Sequence, residues 1–258
     1  MKIAVVGATG RVGRYVVEVL EDEGHEVVSI SRSHGVDVIS GQGLAEALTG
    51  VDAVVDAATG PSPEEAPARE FFMTATHNLQ ELGARAGVER MVVVSIIGCD
   101  RFEGGYGAAK LAHEQAALSG PIPTQVLRAA QFHEFVQQLM EWGRQGDVAY
   151  VPEMRTQLVA ARTVAQALAD MVTAAEFEPM SMTAVSIPEI AGPREESLVE
   201  AAKLLAAQQR DAVRIQGVHD PNDPTHEVFV SGALLPGPDA VLAGPTFEAW
   251  LESAVVAH

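Results

Sequence analysis

A short apolar run, Ile3-Ala4-Val5-Val6, breaks into Gly7-Ala8-Thr9-Gly10-Arg11-Val12-Gly13, after which Val16, Val19 and Leu20 recur at helical spacing. Consecutive apolar residues ending at a glycine read as a strand buried on both faces, and the following period reads as a helix. Between them the three glycines have separate jobs: Gly7 makes the tight turn, Gly10 lets backbone approach a ligand, and Gly13 lets the helix pack closely on the strand. A helix that starts there turns unpaired N–H groups and the positive end of its dipole toward an anion. The spacing is GxxGxxG, and in a strand-to-helix context it points to the pyrophosphate of a dinucleotide. Thr9, Arg11 and Val12 lie inside the loop and belong to the same site.

The pattern repeats. Val27-Val28-Ser29-Ile30, Ala53-Val54-Val55-Asp56, Met91-Val92-Val93-Val94-Ser95 and Thr124-Gln125-Val126-Leu127 read as further strands. Helices are expected after Gly10 with Gly24 as the C-terminal stop, over Leu44 to Leu48, around Phe71, Ala75, Asn78, Leu79 and Leu82 with Gly87 closing, and from Tyr106 to Leu118. Strands apolar on both faces that alternate with helices imply a parallel sheet between helical layers, hence an α/β doubly wound sheet of the Rossmann type with its ligand at the carboxyl ends of the strands. Pro61 to Pro67, with Glu64 and Glu65, reads as a solvated loop. Further on, Leu158-Val159-Ala160 reads as a strand before a helix carrying Val164, Leu168 and Met171. Leu198, Val199, Ala202 and Leu205 mark another helix, and Asp220-Pro221-Asn222-Asp223-Pro224 a turn. Residues 1–150 are expected to form the nucleotide-binding core and 151–258 a smaller α/β lobe packed on it and closing over the cofactor.

The formal net charge of −18 sets an acidic surface that repels phosphate backbones, so nucleic acid is not an expected partner. An anionic cofactor must then be held by a few local cations. Cys99 is the sole cysteine, which rules out an intrachain disulfide and fits a reducing compartment. The start, MKIAVVG, runs straight into a strand pattern without a leader, and no apolar stretch nears the roughly 20 residues of a membrane span. A cytoplasmic protein without membrane contact is expected, as a monomer or homodimer.

The second strand ends Ser29-Ile30-Ser31-Arg32-Ser33. An acid near this point would take the ribose hydroxyls of NAD; none is present, and the Arg32 guanidinium, flanked by Ser33, suits a 2′-phosphate, with Arg11 within the same loop system. NADP(H) is therefore expected in preference to NAD(H). Ser95 ends the fourth strand, and Tyr106-Gly107-Ala108-Ala109-Lys110 follows as YxxxK. On a helix, i and i+4 share a face. A lysine cation beside a phenol favours phenolate, so Lys110 is expected to lower the pKa of Tyr106 and to hold the nicotinamide ribose. Tyr106 would exchange a proton with a carbonyl or alcohol oxygen that Ser95 anchors. His77, His113 and His226 lack metal-ligand spacing, so no metal is expected. Cys99 reads as a packed small apolar residue, and His133 and Glu134 as either a helix face or a substrate contact.

With these motifs the sequence resembles the short-chain dehydrogenase/reductase superfamily, and within it the atypical NmrA-like, NAD(P)H-binding branch. KIAVVGATGRVG, Val92-Val93-Val94-Ser95-Ile96-Ile97-Gly98, the YxxxK helix, Leu127-Arg128-Ala129-Ala130-Gln131-Phe132 and Ile190-Ala191-Gly192-Pro193 carry the likeness. The resemblance implies that Ala57, Ala58, Thr59, Gln131 and Phe132 lie along the cofactor, with a substrate pocket between Tyr106 and the C-terminal lobe. The sequence departs from it in two places. Gln42 stands where many relatives carry Asp near the adenine, and Ser95 is closer to Tyr106 than in extended members. The branch contains reductases of quinones and other small molecules as well as NADP-binding redox sensors without turnover. The expected function is an NADP(H)-dependent oxidoreductase acting on a carbonyl, quinone or similar small molecule; the alternative is a non-catalytic NADP-binding regulator. The small C-terminal lobe weighs against a sugar-nucleotide epimerase or dehydratase.

Overall fold

A computed structural model describes residues 1–181, 186–219 and 226–256. The elements run β1 (Lys2–Val6), α1 (Gly13–Asp22), β2 (Glu26–Ile30), α2 (Leu44–Ala47), β3 (Ala53–Asp56), α3 (Glu65–Ala86), β4 (Arg90–Ile96), α4 (Gly105–Leu118), β5 (Thr124–Ala129), α5 (Phe135–Trp142), β6 (Arg144–Gln145), β7 (Val148–Pro152), β8 (Arg155–Thr156), α6 (Ala161–Thr173), β9 (Glu189–Ala191), β10 (Glu196–Ser197), α7 (Leu198–Gln209), β11 (Arg214–Val218), α8 (His226–Val230), β12 (Val241–Leu242) and α9 (Phe247–Val256). The chain divides into two compact units, residues 1–128 with 164–188, and residues 129–163 with 189–258.

In the first unit the strands lie in the order β5-β4-β3-β1-β2. They pair in parallel with Ala4 opposite Val28 and Val54, and Val55 opposite Val92. Side chains alternate across a strand, which divides the apolar runs between two layers. Ala4, Val6, Ile30, Val54, Met91, Val93 and Val126 pack with Leu44 and Leu48 of α2, Leu79 of α3 and Ala117 of α4. Ile3, Val5, Ala53, Val55 and Val92, on the opposite face, are equally buried. There α1 packs on β1 and β2, burying Val16, Val19 and Leu20. Gln166 of α6 donates to Glu23, the residue capping α1, at 2.8 Å. This is the doubly wound parallel arrangement expected, and it brings the ends of β1, β2, β3 and β4 to one edge.

Local signals set the boundaries. Gly24 and Gly87 follow α1 and α3 at positive φ, where a side chain would strain the backbone. The loop expected over Pro61–Pro67 ends at Glu64, because Pro67 sits in the first turn of α3, where its missing N–H costs nothing. Glu65 is not a solvated loop residue: its carboxylate accepts from the Gly105 N–H at the start of α4, 2.8 Å away.

The second unit holds a three-stranded sheet in the order β11-β7-β6, the two-stranded ladder β10-β8, and β9 paired in parallel with β12. A single cut at residue 150 does not describe the division. The chain leaves the first unit at Arg128, returns for residues 164–188 and leaves again. Leu158–Ala160 is not a strand but makes one isolated parallel bridge, Val159 to Phe132, before α6 begins. The turn expected at Asp220–Pro224 lies outside the described residues. Among the described residues, no helix is long and apolar enough to cross a membrane.

Candidate functional site

The glycine loop is shaped by steric necessity. Gly7 has φ +74°, its N–H donates to the Ile30 carbonyl at 3.0 Å, and an added β-carbon would lie 2.9 Å from both the Ala57 oxygen and the Ala58 Cα. At Gly13 a β-carbon would come within 2.1 Å of the Gly7 oxygen, and at Gly10 within 3.0 Å of the same atom. These distances show a turn too crowded for a side chain at any of the three glycines. Helix α1 starts at Gly13 with neither a side-chain cap nor an acid in its first turn. The positive end of its dipole suits an anion, while the Arg14 N–H donates to the Gly10 carbonyl at 3.2 Å and the Tyr15 N–H to the Val12 carbonyl at 2.9 Å. Thr9 is exposed, Arg11 half-buried and Val12 buried. A cradle that admits no side chain, facing a helix start, fits a dinucleotide pyrophosphate.

Arg32 and Ser33 are exposed in a 3-10 turn directly after β2. Ser33 Oγ lies 2.9 Å from Ser31 Oγ, and Ser31 Oγ lies 2.7 Å from His34 Nδ1, which fixes the turn. No carboxylate stands in this turn.

Ala57, Ala58 and Thr59 leave the end of β3. The Ala57 N–H donates to the Val6 carbonyl at 3.1 Å, so the segment continues alongside the glycine turn. The Ala58 N–H donates to Asp56 Oδ1 at 3.0 Å. Thr59 Oγ1 lies 3.0 Å from the Tyr106 hydroxyl. Tyr106 sits in the first turn of α4, half-buried, with its ring edge-on to Phe72 at 5.9 Å. Burial raises the phenol's pKa, opposed by the Thr59 hydrogen bond, and the net direction is up.

Lys110 stands elsewhere than expected. Its ammonium donates to the Val94 carbonyl at 2.8 Å and to His113 Nδ1 at 2.9 Å, and sits 4.6 Å from the Phe72 ring centroid. His113 stacks on the same ring at 4.6 Å with 10° between planes, and its Nε2 donates to Asp56 Oδ2 at 3.2 Å. Asp56, Lys110 and His113 are 2%, 4% and 1% exposed, so this line of charge is shut off from water. Burial pushes Lys110 down to about 8 against the attraction of Asp56 and Glu114. Burial and the Lys110 charge push His113 down, leaving it neutral at pH 7. Burial alone would raise Asp56, but the hydrogen bond and charge of His113, the Ala58 amide and Lys110 hold it below its ordinary value. The expectation that Lys110 lowers the Tyr106 phenol is therefore corrected: burial raises the phenol, only the Thr59 hydrogen bond opposes it, and the ammonium donates to His113 and Val94 instead.

Ser95 is corrected too. It is 1% exposed, and its hydroxyl points to Cys99 Sγ at 4.0 Å, inside the protein. Cys99 in turn donates to Glu114 Oε1 at 3.2 Å. Glu114 takes a bidentate pair from Arg128, Nε at 2.9 Å and an Nη at 2.8 Å. Burial and the neighbouring Glu114 push the Cys99 thiol up to about 12, so it is a packed residue, as expected, and a poor nucleophile. Thr59, not Ser95, is the hydroxyl that meets Tyr106. Sequence reasoning missed Asp56, His113, Glu114 and Arg128; the available signal was position, since His113 and Glu114 follow Lys110 by three and four residues on one helix.

Gln131 and Phe132 belong to the second unit. Gln131 Oε1 accepts from the Thr156 hydroxyl at 2.7 Å, its carbonyl accepts from the Val159 N–H at 3.0 Å, and Phe132 bridges Val159. His133 is fully buried, its ring 5.4 Å from that of Phe247 and 5.3 Å from that of Trp250. Glu134 accepts from the Ala161 N–H at the start of α6, 3.1 Å away, a helix-capping role. Among the described residues no group of three His, Cys, Asp or Glu side chains is placed to hold a metal ion.

Residues 7–119 match the NAD(P)H-binding family. Within curated proteins the chain is 32% identical over 111 residues to the photosystem II assembly factor Ycf39 of Synechocystis, covering 38% of this chain and 34% of that protein. It is 35% identical over 103 residues to the L-arabinose 1-dehydrogenase (NAD(P)+) of Haloferax volcanii, covering 36% of this chain and 40% of that protein. The chain thus spans little more than a third of the curated relatives it matches. Among solved structures, MoeE5 in complex with UDP-glucuronic acid and NAD superposes with a TM-score of 0.72 at 17% identity, over 100% of both chains. The dTDP-4-dehydrorhamnose reductase of Bacillus anthracis, in complex with NADP, gives 0.69 at 15% identity over 99% of both. A short-chain dehydrogenase/reductase superfamily protein from Agrobacterium tumefaciens with bound NAD gives 0.67 at 18% identity, over 100% of this chain and 97% of that one. At these identities the likeness shows the fold, and lobe size does not separate this chain from sugar-nucleotide enzymes.

Proposed function

We propose that this chain, whose residues 7–119 form an NAD(P)H-binding domain on a short-chain dehydrogenase/reductase fold, is an NADP(H)-dependent oxidoreductase that reduces a carbonyl, quinone or similar small molecule. The observation that carries the reading is the Tyr106 hydroxyl, 3.0 Å from Thr59 Oγ1, on a segment that packs against the glycine turn. Gly7, Thr9, Gly10, Arg11, Val12 and Gly13 would hold the pyrophosphate, Arg32 and Ser33 the 2′-phosphate, and Ala57, Ala58 and Thr59 a further part of the cofactor. When bound, the nicotinamide supplies the hydride.

Tyr106 then serves as the acid. A phenol whose pKa is raised stays protonated at neutral pH, and that favours proton donation to the oxygen of a substrate undergoing reduction. The Thr59 hydroxyl is placed to donate to the phenolate left behind. The substrate is a small molecule, and nucleic acid and membrane are not partners of this acidic chain; the cytoplasm is its place.

A second reading has its own support. Ser95 and Lys110 are withdrawn into the interior, so the three groups expected at a working centre are not assembled. An NADP-binding regulator that senses the redox ratio without turnover needs no such centre, and one relative is named as an assembly factor.

The test has two stages. Titration with NADPH and NADH, repeated on Arg32→Ala, is expected to give NADPH binding that weakens in the variant. Binding of neither cofactor would end both readings. NADPH oxidation is then followed over a panel of quinones and aldehydes for the wild type and Tyr106→Phe. Turnover abolished in the variant, with cofactor affinity retained, supports the enzyme; turnover unchanged refutes the role of Tyr106. No turnover with any compound, together with distinct affinities for NADP+ and NADPH, supports the regulator.

A further inference from the structure

Three buried ionisable side chains stand in line behind the cofactor segment: Lys110, His113 and Asp56. Helix α4 supplies two of them, and with Tyr106 they fall at i, i+4 and i+7, a single helix face. The third ends β3, next to the segment that roofs the glycine turn.

The chain of contacts is continuous. The Val94 carbonyl and His113 Nδ1 anchor the Lys110 ammonium at 2.8 and 2.9 Å. Because Nδ1 accepts, the imidazole proton is on Nε2, which donates to Asp56 Oδ2 at 3.2 Å. Asp56 Oδ1 then accepts from the Ala58 N–H at 3.0 Å. Ala58 is the residue whose Cα would lie 2.9 Å from a β-carbon on Gly7. One residue further, Thr59 meets Tyr106. Phe72 closes the line from the α3 side, stacking on His113 and facing the Lys110 cation.

Burying such groups is costly unless each is paired, and removing one partner leaves the others uncompensated. The three therefore stand or fall together. A lysine reaching for a ribose would need none of this arrangement.

We infer that Lys110, His113 and Asp56 form a buried clamp that fixes Ala57–Thr59 against the glycine turn, so that the YxxxK lysine is a positioning residue that shapes the NAD(P)H site from behind without touching the cofactor. The inference rests on the cofactor site proposed above. It predicts that the three residues act as a unit, whereas a lysine that binds the ribose acts alone.

The experiment measures the Kd for NADPH by nicotinamide fluorescence on the full chain. The variants are Lys110→Met, His113→Leu, Asp56→Asn, the double Lys110→Met/His113→Leu, and His113→Gln, each checked for folding by its melting temperature. Glutamine can still accept from Lys110 and donate to Asp56. Each break in the line is expected to weaken NADPH binding about ten-fold, with the double variant no worse than the weaker single, since coupled neighbours are not additive. His113→Gln is expected to bind within about two-fold of wild type. Should His113→Leu fail to fold, Lys110→Met read against Asp56→Asn carries the same comparison. Loss of binding in Lys110→Met while His113→Leu and Asp56→Asn bind normally would overturn the inference in favour of direct contact. So would losses that multiply in the double variant, or wild-type binding throughout. Failure of the wild type to bind either NADPH or NADH would instead remove the cofactor reading, and the inference with it.

Discussion

His133 offers the cleanest test of how burial controls this fold. The ring is fully buried against the stacked pair Phe247 and Trp250, and burial pushes its pKa down from 6.5 to about 4. The folded protein therefore holds the neutral imidazole, while the unfolded chain takes up a proton near pH 6.5. For a base whose folded pKa is depressed, the stability it contributes is complete above the unfolded pKa and is lost as pH falls toward the folded value. At pH 5 the unfolded state gains a factor of about 30 from protonation and the folded state about 1, so the loss from pH 8 to pH 5 is about 2 kcal/mol. Well below pH 4, where the folded ring is protonated too, no further loss comes from this residue. The assay is urea unfolding at pH 8, 7, 6 and 5, followed by the fluorescence of Trp142 and Trp250, both in the second unit. The comparison is His133→Phe, which keeps the aromatic packing and removes the titration. Whatever the variant does to absolute stability, the wild type is expected to lose about 2 kcal/mol more than the variant over this range. Parallel curves would show that the ring titrates alike in the folded and unfolded chain, as a solvated imidazole does, and would refute the account of its surroundings.

Other outcomes follow from particular distances. Arg32→Ala is expected to weaken NADPH at least about ten-fold and leave NADH nearly unchanged, because a charge-assisted bond to phosphate is worth roughly twice a neutral one; equal losses for both cofactors would remove the 2′-phosphate role. Gly13→Ala places a carbon 2.1 Å from the Gly7 oxygen, a backbone atom that cannot yield cheaply, so a loss of about 2 kcal/mol or more and absent NADPH binding are expected; a wild-type melting temperature would contradict it. Glu114→Leu takes the bidentate partner from the buried Arg128 guanidinium and leaves it Asp100, 3.3 Å away, with an expected cost of about 3 kcal/mol in urea unfolding. Cys99 is expected to resist maleimide in the native protein and to react on unfolding, since its thiol is buried and pushed up to about 12.

The parallel core was legible because burial writes itself into period. β1, β3 and β4 are apolar on both faces and read as strands on sight, and Gly7, Gly10 and Gly13 announce a crowded turn. The second unit was less legible. β7 carries a short apolar run, Val148 to Val151, but β11 is short with mixed burial, so neither alternation nor a continuous apolar run marks it. The return of residues 164–188 to the first unit is a matter of chain path, which no local pattern encodes. At the site, the sequence located Tyr106 and Lys110 on one helix but not which way the lysine points. That depends on Asp56, more than fifty residues earlier, and on Phe72 from a helix outside every motif. Ser95 illustrates the same limit: its position at a strand end was right, and its side chain faces inward to Cys99.

A YxxxK string is commonly taken as a statement about two residues. The line from Lys110 through His113 to Asp56 turns it into a pattern of four: an aspartate closing the strand that precedes the long helix, then tyrosine, lysine four residues on, and histidine three beyond that. The pattern can be sought in any sequence without a structure. Where all four are present, the lysine is expected to be tethered inward, and where histidine or aspartate is replaced by an apolar residue, it is free to turn outward. Two chains with identical tyrosine and lysine spacing would then differ in what the lysine does, and the letter that separates them lies one helical turn past the motif's end.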